Sequence, residues 1–159
     1  MLPHELAGRP LCLAIAGDGP LRDSLHQQAA ELGIAARVHW LGWQAEPAQV
    51  YRAADIFVCP SRHEPLGNVI LEAWAQGVPV VSSRSQGARE LIEDGVDGVL
   101  APIADAPALA GVLRAVIGDQ TLCNQLVVNA RHKLEQQFSE AKIVGDYSVL
   151  YQQLLGAQR

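Results

Sequence analysis

The stretch SRHEPLGNVILEAWAQGVPVV, residues 61–81, decides how this chain is interpreted. It holds two glutamates, Glu64 and Glu72, with a Pro-Leu-Gly-Asn turn after the first and an apolar helical pattern around the second. Gly77 ends that pattern, and the apolar run 78–83 then predicts a buried strand. A helix is therefore expected to begin within the turn, between two carboxylates.

The start of this helix is a candidate anion site. Its first backbone amides, from about Leu66 to Ile70, would have no partner inside the helix. Gly67 would allow another group to approach the backbone closely. Unpaired amides and the helix dipole attract phosphate, and carboxylates accept hydrogen bonds from hydroxyls. The pattern therefore favours a ligand with an anionic group and sugar or ribose hydroxyls.

The two carboxylates are not expected to act as a hydrolytic pair. Eight residues of helix rise about 12 Å, and an extended turn between the glutamates would lengthen the separation. Glycosidase carboxylates sit roughly 5–9.5 Å apart. We expect the pair to hold two ends of an elongated ligand, and the alternative is that both side chains are merely solvated.

The rest of the chain alternates strands with helices. Strands are predicted at 11–17, 37–42, 55–61, 78–83 and 97–102, and helices at 20–33, 46–54, 67–76, 88–95, 106–118, 120–138 and 139–155. Alternation with near-continuously apolar strands predicts an α/β fold, with a parallel sheet covered on both faces. Ligands of such sheets bind beyond the carboxyl ends of the strands. The corresponding loops are 17–20, 42–45, 60–67 and 83–87.

The segment GDGPLR, residues 17–22, follows a strand and opens a helix. The dinucleotide fingerprint Gly-x-Gly-x-x-Gly would need glycine where Arg22 stands, and an acidic residue about twenty positions on. The other interpretation is a tight turn made by two glycines. In either case the turn could line a ligand site.

Charge and composition exclude several classes of function. The net charge is −5, and Lys133 and Lys142 are the only lysines, so we predict no nucleic-acid partner. The sequence has no run of about 18 apolar residues, so we predict no membrane span. The segment 1–10 lacks the features of a secretory signal, which predicts a cytoplasmic protein.

The metal-binding residue types are scattered along the sequence. The cysteines are Cys12, Cys59 and Cys123, and the histidines are His4, His26, His39, His63 and His132. Their spacings do not match a zinc site. We predict free thiols in a reducing compartment and no structural metal.

The segment 61–81 closely resembles the Glu-x7-Glu signature of retaining glycosyltransferases with the GT-B fold, family 4, also called group 1. Other segments resemble the same family in order: LAIAGDGPLRDSL, RVHWLGW, AADIFVCPS, SQGARELIEDGVDGVLAP and FSEAKIVGDYSVLYQQLL. The resemblance covers the chain from residue 10 onward. It implies the Rossmann-like, donor-binding C-terminal half, as one domain over 1–159 that is closed by a helix at 139–156.

By position, the resemblance implies the following site. Glu64 would be the catalytic residue at the transferred sugar, and Glu72 would hold the ribose hydroxyls. The backbone of Leu66, Gly67, Asn68 and Val69 would cradle the sugar and diphosphate, and the turns at Gly17, Gly42 and Trp43 would flank the nucleobase. The donor would be a nucleoside-diphosphate sugar, with no metal or cofactor, because amides and basic side chains stabilise the leaving diphosphate in this family.

The sequence departs from the family in three places. The family's first strand and helix, whose arginine and lysine clamp the diphosphate, have no counterpart, and neither has the N-terminal acceptor domain. The strands at 11–16 and 55–59 would then pair directly in a five-stranded sheet, or another segment or chain would fill the gap. The usual Gly-Gly is Gln86-Gly87 here. The nearest cations are Arg62, Arg84 and Arg89, to which we assign no role.

The expected function is therefore donor binding by one half of a glycosyltransferase, with little or no activity alone. The partner would be an acceptor half, through which the protein could associate peripherally with a membrane. One alternative stays open, a non-catalytic interaction module on the same fold. A nucleotide-sugar epimerase would need both domains and further acids, and the sequence gives it no local support. The sugar, the nucleotide, the acceptor and the oligomeric state are not specified by the sequence.

Overall fold

The computed structural model describes residues 3, 5–6 and 8–156. The strands are β1 Glu5–Leu6, β2 Arg9–Pro10, β3 Leu13–Ala16, β4 Val38–Gly42, β5 Phe57–Cys59, β6 Val80–Ser83 and β7 Val99–Ala101. The α-helices are α1 Arg22–Glu31, α2 Ala48–Ala53, α3 Asn68–Ala75, α4 Gln86–Leu91, α5 Ala106–Gly118, α6 Gln120–Gln137 and α7 Glu140–Gly156. A short 3-10 helix, Ala35–Arg37, precedes β4. The order from β3 onward confirms the predicted α/β alternation, whereas the hairpin β1–β2 was not predicted.

The last three helices begin where the sequence supplies a capping side chain. Asp105 before α5 and Asp119 before α6 each accept a hydrogen bond, at 2.9 Å, from the backbone amide three residues on. The predicted cap of α7, Ser139, lies 3.4 Å from the amide of Lys142. These contacts satisfy amides that have no partner within the helix.

Parallel pairing of β5 with β6 and of β6 with β7 forms the centre of the fold. Neighbouring residues of β6 point to opposite faces of this sheet. Val80 packs with buried residues of α3 and α4 on one face: Ile70, Trp74 and Leu91. Val81 packs with buried residues of α5 and α6 on the other face: Leu113, Val116 and Cys123. This sheet is covered on both faces, as predicted.

The strands form separate sheets rather than one. β3 pairs in parallel with β4, and among the described residues no backbone ladder joins this pair to β5–β6–β7. Of the two arrangements expected, direct pairing of 11–16 with 55–59 is therefore wrong, and no strand of the described residues fills the gap between them. Buried residues between positions 11 and 42 are only Ala29 and Val38, so little apolar surface draws the two sheets together. Leu13 of β3 is 47% exposed.

Helix α4 was predicted at 88–95 and lies at Gln86–Leu91. The later residues form a turn, in which the side chain of Asp97 accepts a hydrogen bond from the amide of Glu93 at 2.8 Å. Gly95 adopts the left-handed conformation, φ 79°, in this turn. The carboxylate and the glycine end the helix one turn earlier than the apolar pattern suggests.

Helix α7 is amphipathic but has no buried residue. Its large apolar side chains are exposed: Ile143, Val144, Tyr147, Val149, Leu150, Tyr151, Leu154 and Leu155. Within the part of the chain that the structure describes, no helix is both long and apolar enough to cross a membrane. Helix α7 thus lies outside the core, and its apolar side chains face solvent.

Candidate donor-binding site

The carboxyl ends of β5 and β6 are tied together by two serines. The hydroxyl of Ser82 donates to the carbonyl of Cys59 at 3.1 Å. The hydroxyl of Ser83 donates to the carbonyl of Ser61. Because both acceptors lie in the segment that leads to Glu64, these bonds fix the start of the loop between β5 and α3.

The start of α3 has the features expected of an anion site. Gly67, its N-cap residue, is in the left-handed conformation with φ 75°. The amide of Gly67 donates to Oε1 of Glu64 at 3.2 Å, so the glutamate folds back over the turn. Among the described residues, no side chain caps this helix, and the amides of Asn68 and Val69 have no acceptor. Two donors at the positive end of a helix are therefore available to a ligand.

Gly87 holds this loop against α4. Its amide donates to the backbone carbonyl of Glu64 at 2.7 Å. A Cβ atom here would lie 2.8 Å from backbone atoms of Glu64, Leu66 and Gly67. The sequence has Gln86 where the resembling family has a first glycine, and Gln86 is exposed. The close backbone approach is thus made by the glycine that is retained.

Glu72 lies in the second turn of α3, on its exposed side. Its Oε2 accepts a hydrogen bond from the phenol of Tyr51 in α2 at 2.9 Å. The ring of Tyr51 is half-buried and meets Phe57 edge-on, with centroids 5.1 Å apart. Burial and the nearby Glu72 carboxylate raise the pKa of Tyr51 well above its ordinary value. The phenol therefore stays a donor throughout the neutral range.

Tyr51 was missed at the level of sequence. It stands in the predicted helix 46–54, where one tyrosine among alanines suggests only packing. The contact with Glu72 arises because α2 and α3 pack side by side, which no local pattern encodes.

The two carboxylates hold different partners. Glu64 contacts the amide of Gly67, and Glu72 contacts Tyr51. The expected extended turn is wrong, because Glu64 folds back onto the amide of Gly67. The five residues from Gly67 to Glu72 rise only about 7.5 Å, so helix length does not by itself rule out a hydrolytic pair. Separate partners support two distinct ligand contacts rather than a shared one.

The predicted nucleobase turns lie at the ends of β3 and β4. The amide of Gly17 donates to the carbonyl of Gly42 at 2.7 Å, which brings the two turns together. Both glycines have positive φ, 124° and 65°. Trp43 beside them is 75% exposed. These turns belong to the two-stranded sheet, whereas Glu64 and Glu72 follow the three-stranded one.

The nearby arginines differ in their surroundings. Arg84 forms an ion pair with Asp94, which also accepts the amide of Leu100 at 2.9 Å. Arg62 lines an open depression of about 250 Å³ at the carboxyl ends of β5, β6 and β7. Arg89 is exposed on α4. Arg62 and Arg84 both follow strand ends, and Arg84 is already paired with Asp94.

The described residues contain no cluster of three or more His, Cys, Asp and Glu that could hold a metal ion. His4, one of the five histidines, lies outside the described residues. Cys12, Cys59 and Cys123 are free thiols.

Two parallel sheets, the helices that alternate with their strands and the structural likeness to a solved relative identify a Rossmann-like α/β domain of the GT-B type, its C-terminal half. Residues 4–133 match the family model described as glycosyl transferases group 1, so the chain belongs to this family.

Several named relatives agree with this membership. The lipopolysaccharide core biosynthesis glycosyltransferase LpsE of Rhizobium meliloti is 43% identical over 85% of this chain and 40% of its own length. A GDP-mannose-dependent phosphatidylinositol monomannoside mannosyltransferase of Mycolicibacterium smegmatis is 37% identical over 76% of this chain and 34% of its own. The crystal structure of Anabaena HepE in complex with UDP superposes with a TM-score of 0.84 and 32% identity, covering 90% of this chain and 41% of HepE.

The chain thus spans between 34% and 41% of the length of these three relatives. HepE has also been solved with UDP-glucose. The relatives are named glycosyltransferases, which does not favour the non-catalytic alternative.

Proposed function

We propose that this chain is the donor-binding half of a retaining glycosyltransferase, which transfers a sugar from a nucleoside-diphosphate sugar to an acceptor. One observation carries the proposal: the unpaired amides of Asn68 and Val69 lie between two glutamates that have separate partners. A diphosphate fits the amides, and sugar and ribose hydroxyls fit the carboxylates. The UDP and UDP-glucose complexes of HepE support the same class of ligand.

In this proposal the helix start stabilises the leaving group. The bond between the sugar's anomeric carbon and a diphosphate oxygen breaks as the acceptor's hydroxyl oxygen bonds to that carbon. The diphosphate keeps the electron pair, so negative charge grows on it, and it can take up the proton that the hydroxyl loses. Amides fixed by the Gly67 turn stabilise that charge without reorganising, and we propose that no metal is needed. Glu64 lies at the sugar end and Glu72 at the ribose end. The backbone of Leu66, Gly67, Asn68 and Val69 cradles the sugar and diphosphate, and the turns at Gly17, Gly42 and Trp43 flank the base.

We also propose that activity needs a second half of the enzyme. Among the described residues, β3 and β5 each have one edge without a ladder partner, to which a further strand could pair, and α7 offers an exposed apolar surface. The second half would supply the acceptor site, basic groups for the diphosphate and any peripheral contact with a membrane.

The three free thiols suit the reducing cytoplasm, where we place the reaction. By family, lipid-linked sugars or envelope polysaccharides are the acceptors we propose.

Calorimetric titration of the chain with UDP, GDP and ADP tests the donor site. We expect one nucleotide to bind, and Glu72→Ala to weaken it about 10- to 100-fold, as for loss of hydrogen bonds to a charged group. Glu135→Ala, an exposed glutamate of α6, is the matched control and should leave the affinity unchanged. Absence of binding by a folded chain, or equal binding by the Glu72 variant, would contradict the proposal.

A transfer assay tests the need for a second half. The chain alone should transfer sugar far more slowly than the same chain joined to an acceptor half. A rate in the ordinary enzymatic range for the chain alone would show that no second half is required.

A further inference from the structure

We propose that Tyr51 is a positioning residue: it sets the Glu72 carboxylate for the ribose and so makes the site prefer ribonucleotides to deoxyribonucleotides. This inference rests on the proposed function, because it takes the ribose of the donor as the ligand of Glu72. Tyr51 itself would act through Glu72, without touching the nucleotide.

The contact between α2 and α3 is built from two adjacent side chains. Tyr51 donates to Glu72 at 2.9 Å, and Arg52 donates to Gln76 at 2.7 Å. Glu72 and Gln76 are four residues apart, so both acceptors lie on one side of α3. Two bridges made by neighbouring residues of a short helix fix the position of α2 along α3, and with it the position of the phenol.

The phenol is held more firmly than the carboxylate that it contacts. Tyr51 packs against the core cluster and meets the ring of Phe57 edge-on, whereas Glu72 is exposed. An exposed glutamate without a partner samples several rotamers. A hydrogen bond from an anchored donor selects one of them, which is how a supporting residue makes a binding group ready for its ligand.

The remaining acceptor positions of Glu72 fit a pair of neighbouring hydroxyls. A carboxylate has about four lone-pair positions, and Tyr51 uses one of them on Oε2. Among the described residues, no other donor contacts Glu72, so Oε1 and the other side of Oε2 are available to a ligand. A ribose presents two adjacent hydroxyls, and a deoxyribose leaves one acceptor position unpaired, which a site built for hydrogen bonding penalises. Without Tyr51 the carboxylate can rotate, and the difference between the two sugars should shrink.

The variants Tyr51→Phe and Arg52→Met separate this role from a general weakening of the contact between α2 and α3. Each removes one of the two bridges and leaves the apolar part of the side chain. We would titrate both variants and the wild-type chain with UDP, GDP and ADP. The nucleotide that binds would then be compared with its 2′-deoxy and 3′-deoxy forms. Thermal unfolding of each variant checks that it is folded.

We expect the wild-type chain to bind the ribonucleotide at least about tenfold more tightly than a deoxy form. Tyr51→Phe should weaken the ribonucleotide and reduce this preference to about threefold or less, with little change for the deoxy forms. Arg52→Met should keep the wild-type preference even if it lowers the melting temperature, because it leaves Glu72 and its donor in place.

The failures of the two proposals are distinguishable. If Glu72→Ala abolishes the preference and Tyr51→Phe retains it, the positioning role is overturned and the donor site stands. If Arg52→Met loses the preference as Tyr51→Phe does, the effect is structural and the positioning role is again overturned. If no nucleotide binds the folded chain, or Glu72→Ala binds as the wild type does, both proposals fall.

Discussion

Replacing Gly87 by alanine should disrupt the candidate site, although Gly87 is not among the residues proposed to contact the ligand. The added Cβ would lie 2.8 Å from the Glu64 carbonyl oxygen, the Leu66 carbonyl carbon and the Gly67 nitrogen. Ordinary contacts are about 3.5 Å or longer, so the two segments must separate by roughly 0.7 Å. All three contacts are with backbone, so no side chain can rotate away. The shift also strains the 2.7 Å hydrogen bond from Gly87 to Glu64.

The cost of this overpacking should be about 1–3 kcal/mol of the free energy of unfolding. In a chain of this size that corresponds to a melting temperature roughly 3–9 °C lower. The displaced segment includes Glu64 and the turn at the start of α3, so nucleotide affinity should fall as well. Circular dichroism melting and calorimetric titration of the same preparation measure both quantities.

Gly111→Ala is the matched control for Gly87→Ala. It makes the same chemical change inside α5, where an added Cβ would meet no atom within 4 Å. Alanine favours a helix interior by about 1 kcal/mol, so this variant should be slightly more stable and bind nucleotide normally. A Gly87→Ala chain that melts within about a degree of the wild type, or melts lower yet binds nucleotide as tightly, would refute the reasoning.

Two further perturbations test the core. The Lys133 amine lies 2.7 Å from the carboxylate of Asp97, a residue that is only 3% exposed. Lys133→Met leaves this carboxylate without its counter-charge, so the free energy of unfolding in a urea titration should fall by about 3–5 kcal/mol. Lys142→Met breaks an exposed ion pair and should change the free energy of unfolding by less than about 1 kcal/mol. Equal losses of stability in the two variants would show that the burial of Asp97 does not matter. A thiol reagent should modify exposed Cys12 in the folded chain and buried Cys123 only on unfolding. Burial raises the pKa of Cys123 in the folded chain, so the folded state holds this proton more tightly than the unfolded state does. The resulting contribution to the free energy of unfolding is complete below the unfolded pKa of about 8.5 and is lost as the pH rises above that value. Cys123→Ala should therefore reduce the loss of stability at alkaline pH, and a variant that loses stability as the wild type does would contradict this assignment.

Local signals were sufficient for the segment that carries the candidate site. The prediction of 67–76 for α3 and 78–83 for β6 differs by one or two residues from Asn68–Ala75 and Val80–Ser83. Glycines bound this helix, and an apolar run of the right length marks the strand. The fold class and the family follow from the same segment and its neighbours.

The contacts between elements were less predictable. The sequence shows that β3 and β5 are strands but not whether they share a ladder, because pairing depends on how the helix layers place them. The Tyr51 contact and the close approach of Gly87 also depend on packing between helices and loops. The roles of Glu64 and Glu72 stay predictions, because they concern a ligand rather than the fold.

The separation of the two sheets also bears on how the chain unfolds. The segment from β3 to β4 has few buried side chains and no backbone ladder to β5–β6–β7 among the described residues. Its amides should exchange with deuterium through partial openings that leave β6 intact, since regions of low burial open with a smaller free energy than the core. The turns after β3 and β4, for which we propose a nucleobase contact, both belong to this less stable segment. A nucleotide that spans both sheets would then couple their unfolding into a single cooperative step.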